Sequence, residues 1–182
     1  EGSYRMKQTT LAVFIASSLL ICIHPGEAGA ATSKKTYRIT PKTEAIDPTI
    51  RKYTTYNAKT RNHYTMRSYL ERLEKEGGGT LVLTKGTYLS PLRVGIPSNT
   101  TVVLEDGVVI KKTTETGTTK ISSTTSVFDL VAPSVLRLNK KVGKYDGSQN
   151  VKIIGKGNAQ IDLNRYTRGS AFAIAHNQNL YI

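Results

Sequence analysis

Residues 99–110, NTTVVLEDGVVI, and residues 150–161, NVKIIGKGNAQI, follow one plan. Each opens on an asparagine, runs through alternating apolar positions, turns at a glycine and closes a second short strand at Ile110 or Ile161. Residues 179–182, NLYI, begin a third copy, which the end of the sequence interrupts. Strands this short cannot bury a face alone, and repetition on this scale is the mark of stacked coils that share one apolar column. The asparagine ahead of each strand suits a turn, and stacked copies of it can form a side-chain ladder. A sandwich of short strands has similar turn spacing, so the echo by itself leaves both architectures open.

Upstream of the first copy the strand pattern continues. TLVL (residues 80–83) reads as a strand, Lys85-Gly86 as a turn and Thr87–Leu89 as a further strand, with another turn at Pro97-Ser98-Asn99. Between the copies, VFDLV (residues 127–131) is a short apolar strand. Residues 112–125 are rich in Thr, Ser and Lys and are expected to protrude as a loop. Residues 132–148 form a second insertion, with Pro133 and a basic patch at Arg137, Lys140, Lys141 and Lys144. Strands at 151–154, 159–163, 171–175 and 179–182 complete the series.

Ahead of the strands the period changes. Met66, Tyr69, Leu70 and Leu73 make one apolar stripe at helical spacing, predicting a helix over 65–75 with Thr65 as N-cap. Arg67, Glu71 and Lys75 are four apart and would pair on its wet face. Gly77, Gly78 and Gly79 stop it, supplying the left-handed backbone a helix end uses. Residues 31–62 are polar, basic and weakly periodic, with Pro41 and Pro48. They are expected to be an extended arm with a short strand near Thr36–Ile39.

The beginning of the chain fixes where the protein works. Lys7 precedes an apolar run, Leu11–Ile23, which falls short of the roughly 20 residues a spanning helix needs. Ala28 and Ala30 form an A-x-A site, so residues 6–30 read as a secretory signal peptide cleaved after Ala30, with residues 1–5 as upstream sequence. The expected location is outside the cell, with no membrane association after cleavage.

Removing that segment leaves one domain of about 150 residues. Cys22, the only cysteine, lies in the signal, so thiol catalysis, thiolate metal sites and disulfides are excluded from what remains. The formal net charge is +13, from 26 Lys+Arg against 13 Asp+Glu. Such a field attracts polyanions, which outside the cell means acidic polysaccharide or cell-wall polymer, while export argues against nucleic acid.

The order of these features resembles the opening of the right-handed parallel β-helix in the pectin-lyase-like superfamily, and within it the polygalacturonase-type glycoside hydrolases. The resemblance rests on the helix, EGGGTLVL (residues 76–83), KGTY (85–88), SNT (98–100), the strand ending GVVI (107–110) and GKGNAQIDLN (155–164), and covers residues 64–182. It implies a mainly β, truncated solenoid of N-terminal coils over residues 63–182, with the helix capping one end. It also implies a parent enzyme that hydrolyses acidic polysaccharide by inversion. The family's Asn-Thr-Asp, Asp-Asp, Gly-His-Gly and Arg-Ile-Lys motifs do not occur in this sequence, nor can the calcium-binding cluster of the lyase branch be placed. No catalytic residue is assigned, and the chain as written is expected to be inactive. A non-enzymatic glycan-binding or surface protein, and a polysaccharide lyase, are the competing readings.

A glycosidase needs two carboxyl groups facing one sugar. Asp106 reads as a turn residue and Asp162 as part of a coil turn, and no pair among Asp47, Asp106, Asp129, Asp146 and Asp162 stands out. Arg165, Arg168 and His176 lie where a substrate groove would begin in the resembled fold, and they are the candidate substrate contacts. A guanidinium can fork onto a uronate carboxylate. His63, near the helix start, is expected to be exposed. No His/Asp/Glu cluster has metal-ligand spacing, and no cofactor is implied.

Overall fold

A computed structural model describes residues 34–138, 142–143 and 146–182. The signal peptide with its cleavage site, and Lys140, Lys141 and Lys144, lie outside the described residues. Within them the chain is mainly β and its strand ladders are all parallel. The elements run β1 (Lys35–Ile39), α1 (Pro48–Arg51), α2 (Arg61–Lys75), β2 (Gly79–Leu83), β3 (Gly86–Ser90), β4 (Val94–Gly95), β5 (Thr100–Leu104) and β6 (Val108–Lys112). Then come β7 (Ser126–Asp129), α3 (Pro133–Arg137), β8 (Gln149–Gly155), β9 (Gln160–Asp162), β10 (Ser170–Ala173) and β11 (Gln178–Tyr181).

Three parallel sheets collect these strands in the orders β1-β2-β5-β8-β11, β3-β6-β9 and β4-β7-β10. Successive strands step from one sheet to the next: β2, β3 and β4, then β5, β6 and β7, then β8, β9 and β10, before β11 returns to the first sheet. Parallel neighbours need a long connection, and here the strands of the other two sheets provide it. The antiparallel sandwich that turn spacing left open is therefore not what forms.

Register lines up like with like. Leu81, Val102 and Ile153 are neighbours across the first sheet, Tyr88, Ile110 and Ile161 across the second, and Val94, Phe128 and Phe172 across the third. These rows face inward and, with Ile39, Leu83, Leu104, Val108 and Val151, make one apolar core. Phe128 and Phe172 stack with ring centroids 6.2 Å apart. Each such side chain taken from water contributes about 1.5–3 kcal/mol, so stacking the passes supplies what no single short strand can.

Helix α2 adds Met66, Leu70 and Leu73 to the same core, packing on β2, β3 and β4, and Tyr69 meets Tyr37 of β1 edge-on. It begins at Arg61, a turn before the expected N-cap at Thr65. The extra turn is polar in sequence but largely buried, and hydrogen bonds to distant residues hold it. Asn62 Nδ2 donates to the Pro41 carbonyl at 2.8 Å, Leu89 N–H donates to Asn62 Oδ1 at 3.1 Å, and the Thr65 hydroxyl donates to the Thr43 carbonyl at 2.9 Å. Apolar periodicity cannot detect a helical turn held by hydrogen bonds. The helix stops as expected, with Gly78 N–H donating to the Leu73 carbonyl at 2.8 Å.

Residues 34–62 carry the expected strand, β1, but more than an arm around it. Ile39 is fully buried, Asp47 caps α1 by accepting from Thr49 N–H at 2.8 Å, and Ala45, Ile50 and Tyr64 form a second small core. The loop after β6 does not protrude freely either. Asn57 Nδ2 donates to the Thr116 carbonyl at 3.0 Å, and Lys120 Nζ donates to Thr54 Oγ1 at 3.0 Å. The second insertion contains α3, opened by Pro133, which suits a first helical position because it lacks only an amide proton the helix would leave unpaired. Among the described residues no helix is long and apolar enough to cross a membrane.

Candidate functional site

Helical spacing puts His63 and Arg67 on one face of α2, a turn apart, with Glu71 a turn further on. Two other elements close against that face. One is β4 with the residues just before it, which brings Arg93. The other is α3, which brings Leu136 and Arg137. Gly95 makes the approach feasible, because a Cβ there would lie 2.9 Å from Leu136 Cδ1 and 2.7 Å from the Val131 carbonyl oxygen. Between the three elements is a cavity of about 200 Å³ lined by His63, Arg67, Arg93 and Arg137, with Leu92, Pro133 and Leu136 as its apolar walls.

Each arginine is oriented by a carboxylate. Arg67 Nε donates to Glu71 Oε1 at 2.9 Å, and Arg137 Nε lies 3.6 Å from the same oxygen. Arg93 Nη1 donates to Asp129 Oδ2 at 3.2 Å, while the Ser126 hydroxyl bonds the other oxygen of Asp129. The carboxylates are the buried partners, with side chains 12 % and 9 % exposed, against 54 % for Arg137. A guanidinium has several N–H donors in a planar fork, and one nitrogen of each is engaged here among the described residues. The wet-face pairing expected of Arg67 and Glu71 is instead a largely buried pair, and Arg137 joins it.

His63 was expected to be exposed but is 4 % exposed, and its Nδ1 has no hydrogen-bond partner among the described residues. Burial, and after it the Arg67 charge, push its pKa down to about 3, with the Leu92 carbonyl opposing and Lys112 adding to the fall. His63 is therefore neutral at any ordinary pH. Lys112 is itself fully buried, its ammonium donating to the Pro91 carbonyl at 2.8 Å and the Ser90 carbonyl at 3.2 Å, and burial lowers its pKa to about 8. The cavity lining carries three guanidinium groups and no carboxylate, while Glu71 and Asp129 hold those groups from behind and Glu74 is turned to Ser134 of α3.

The sequence-derived candidates fall elsewhere. Arg165 and Arg168 lie exposed in the turn between β9 and β10, and His176 lies exposed in the next turn, between β10 and β11. The two turns join different pairs of sheets. Arg165 and His176 also occupy left-handed backbone, φ 57° and 55°, as turn residues do. Asn164, the neighbour of Arg165 in the chain, lines a second cavity of about 250 Å³ with Lys59, Lys111, Thr113 and Glu115.

The aspartates are occupied. Asp106 accepts from Asn158 N–H at 2.7 Å, Asp162 from Asn164 N–H at 2.7 Å, and Asp146 from Gly143 N–H at 2.7 Å. Asp47 caps α1 and Asp129 holds Arg93. The Asp162 bond is a local turn contact, whereas Asp106 sits in the turn between β5 and β6 and reaches across to Asn158. Sequence reasoning missed the arginine cavity, since Arg67, Arg93 and Arg137 share no spacing or motif.

Comparison of the chain with models of known protein families, with curated proteins and with solved structures finds no match.

Proposed function

We propose that this chain forms the coils of a right-handed parallel β-helix, capped at one mouth by α2, in an exported carbohydrate-active protein of the polygalacturonase-like kind that recognises acidic polysaccharide. The rotation of strands through three parallel sheets supports the β-helix reading, as do the in-register rows and the seat of α2 on the first strands of the core. The observation that carries the substrate class is the charge of +13 combined with the occupation of the aspartates by turns and ion pairs. The exposed Lys85, Lys152, Lys156, Arg165 and Arg168 have no ion pair among the described residues, whereas the exposed Glu44, Glu76 and Glu115 are partnered by Arg51, Tyr37 and Lys59. A surface of this kind holds a polyanion, and among the described residues the aspartates are engaged and offer no free pair with which to hydrolyse it. The described residues therefore serve recognition.

The test is binding of the full chain to polygalacturonate and to dextran, in low salt and in 0.5 M salt, with reducing ends assayed alongside. Polyanion binding that weakens steeply as salt screens the charges, with no dextran binding and no release of reducing ends, is the expected result. Equal binding to both polymers, or to neither, overturns the substrate class.

A further inference from the structure

We infer that the cavity between α2, α3 and β4 is an oxyanion site that takes the carboxylate of one uronic acid residue, with Arg67, Arg93 and Arg137 as its donors. The oxyanion character rests on the cavity itself, while the uronate identity rests on the polysaccharide reading above.

Three guanidinium groups line one small space, and each has planar N–H donors beyond the one engaged with Glu71 or Asp129. Those two carboxylates hold the guanidinium groups in place from outside the lining, which itself carries three guanidinium groups and no carboxylate. Planar forks suit a carboxylate, which accepts two parallel N–H bonds. His63 is neutral and closes one side with an unpartnered Nδ1, so it neither repels a sugar hydroxyl nor competes for the guanidinium groups. Ligand clefts commonly span roughly 300–1,000 Å³, and a cavity of about 200 Å³ matches a single sugar ring. Leu92, Pro133 and Leu136 supply apolar surface for the C–H faces of that ring.

Histidine NMR tests this directly. The chain has His24, His63 and His176, and His176, exposed in the turn between β10 and β11, reports separately on binding outside the cavity. The full chain is titrated with sodium galacturonate, galactose and sodium sulfate, and the His63 ring signals are followed. Galacturonate is expected to shift His63 saturably while galactose does not. Arg137→Ala should weaken this binding at least tenfold with an unchanged circular dichroism spectrum, and Arg137→Lys, which keeps the charge but loses the fork, should fall between.

No saturable shift of His63, or equal affinity in Arg137→Ala, overturns the site. Sulfate binding tighter than galacturonate overturns the uronate identity and leaves an oxyanion site. If polygalacturonate binds the wild type and Arg137→Ala alike and galacturonate binds neither, the cavity proposal fails while the polysaccharide reading stands. If galacturonate binds in the cavity but the polymer does not bind, the polysaccharide reading fails and the cavity stands.

Discussion

Asn150 Nδ2 donates to Asn99 Oδ1 across 2.9 Å, and Asn179 Nδ2 donates to Asn150 Oδ1 across 2.6 Å. The three occupy equivalent positions, Asn99 just ahead of β5 and Asn150 and Asn179 second in β8 and β11, and all have left-handed backbone, φ 58°, 55° and 53°. Asparagine tolerates that conformation better than other residues with a Cβ, and its amide is both donor and acceptor, so each copy bonds the one before and the one after. Asn150→Ala removes both side-chain bonds and leaves alanine in a strained backbone. It should lower stability by about 1–2 kcal/mol in urea unfolding. Asn150→Gly relieves the backbone but not the lost bonds and should cost less. Identical costs for the two would mean that the ladder, and not the backbone, carries the effect.

Gly78 heads the same column, opposite Asn99, with φ +116°. A Cβ there would run into the Asn99 carbonyl, which is backbone and cannot swing away. Gly78→Ala should cost about 2–4 kcal/mol, read from the urea midpoint, whereas Gly77→Ala, where a Cβ would meet no atom within 4 Å, should cost less.

Lys112 gives stability a distinctive rise in alkali. Its folded pKa of about 8 lies below the ordinary lysine value of 10.5, so between those values the unfolded chain binds more protons than the folded one. Stability from this group therefore increases as pH climbs from 8 toward 10. Tyr37 and Tyr88 are raised, chiefly by burial, and act in the opposite sense above pH 10, so the informative range is pH 7–9.5. Urea midpoints should rise over that range, and Lys112→Met should flatten the rise.

His63 works at the acid end. Its pKa is about 3 when folded against the ordinary histidine value of 6.5, so the unfolded chain takes up a proton first as pH falls. The folded state should lose on the order of a few kcal/mol between pH 6.5 and pH 3 from this group. His63→Leu should reduce the dependence of the thermal midpoint on pH in that window, on top of the share contributed by Asp47, whose carboxyl is held low by the Thr49 amide.

Arg165 and Arg168 are exposed and engaged in no ion pair among the described residues. The double variant Arg165→Ala/Arg168→Ala should leave stability within about 0.5 kcal/mol while weakening polygalacturonate binding about threefold to tenfold, measured by calorimetry in low salt. Unchanged affinity would remove these two residues from the polymer contact.

The repeat was legible because asparagine, alternating apolar residues and glycine recur in order, and each type answers a local demand of turn or strand. The helix was legible through Met66, Leu70 and Leu73 but not through its first turn, where Asn62, His63, Tyr64 and Thr65 are buried by partners far along the chain. Strand β4 is only Val94–Gly95, too short to carry a period, and α3 hides in a basic insertion.

The sequence by itself determined the strand rhythm, the ladder asparagines, the glycine stop and the cationic excess, since each is a property of neighbouring residues or of composition. Only the tertiary structure decided that Arg67, Arg93 and Arg137 meet around a buried His63. Their convergence depends on how α2, β4 and α3 pack, and packing joins residues about 70 positions apart that no local interaction links.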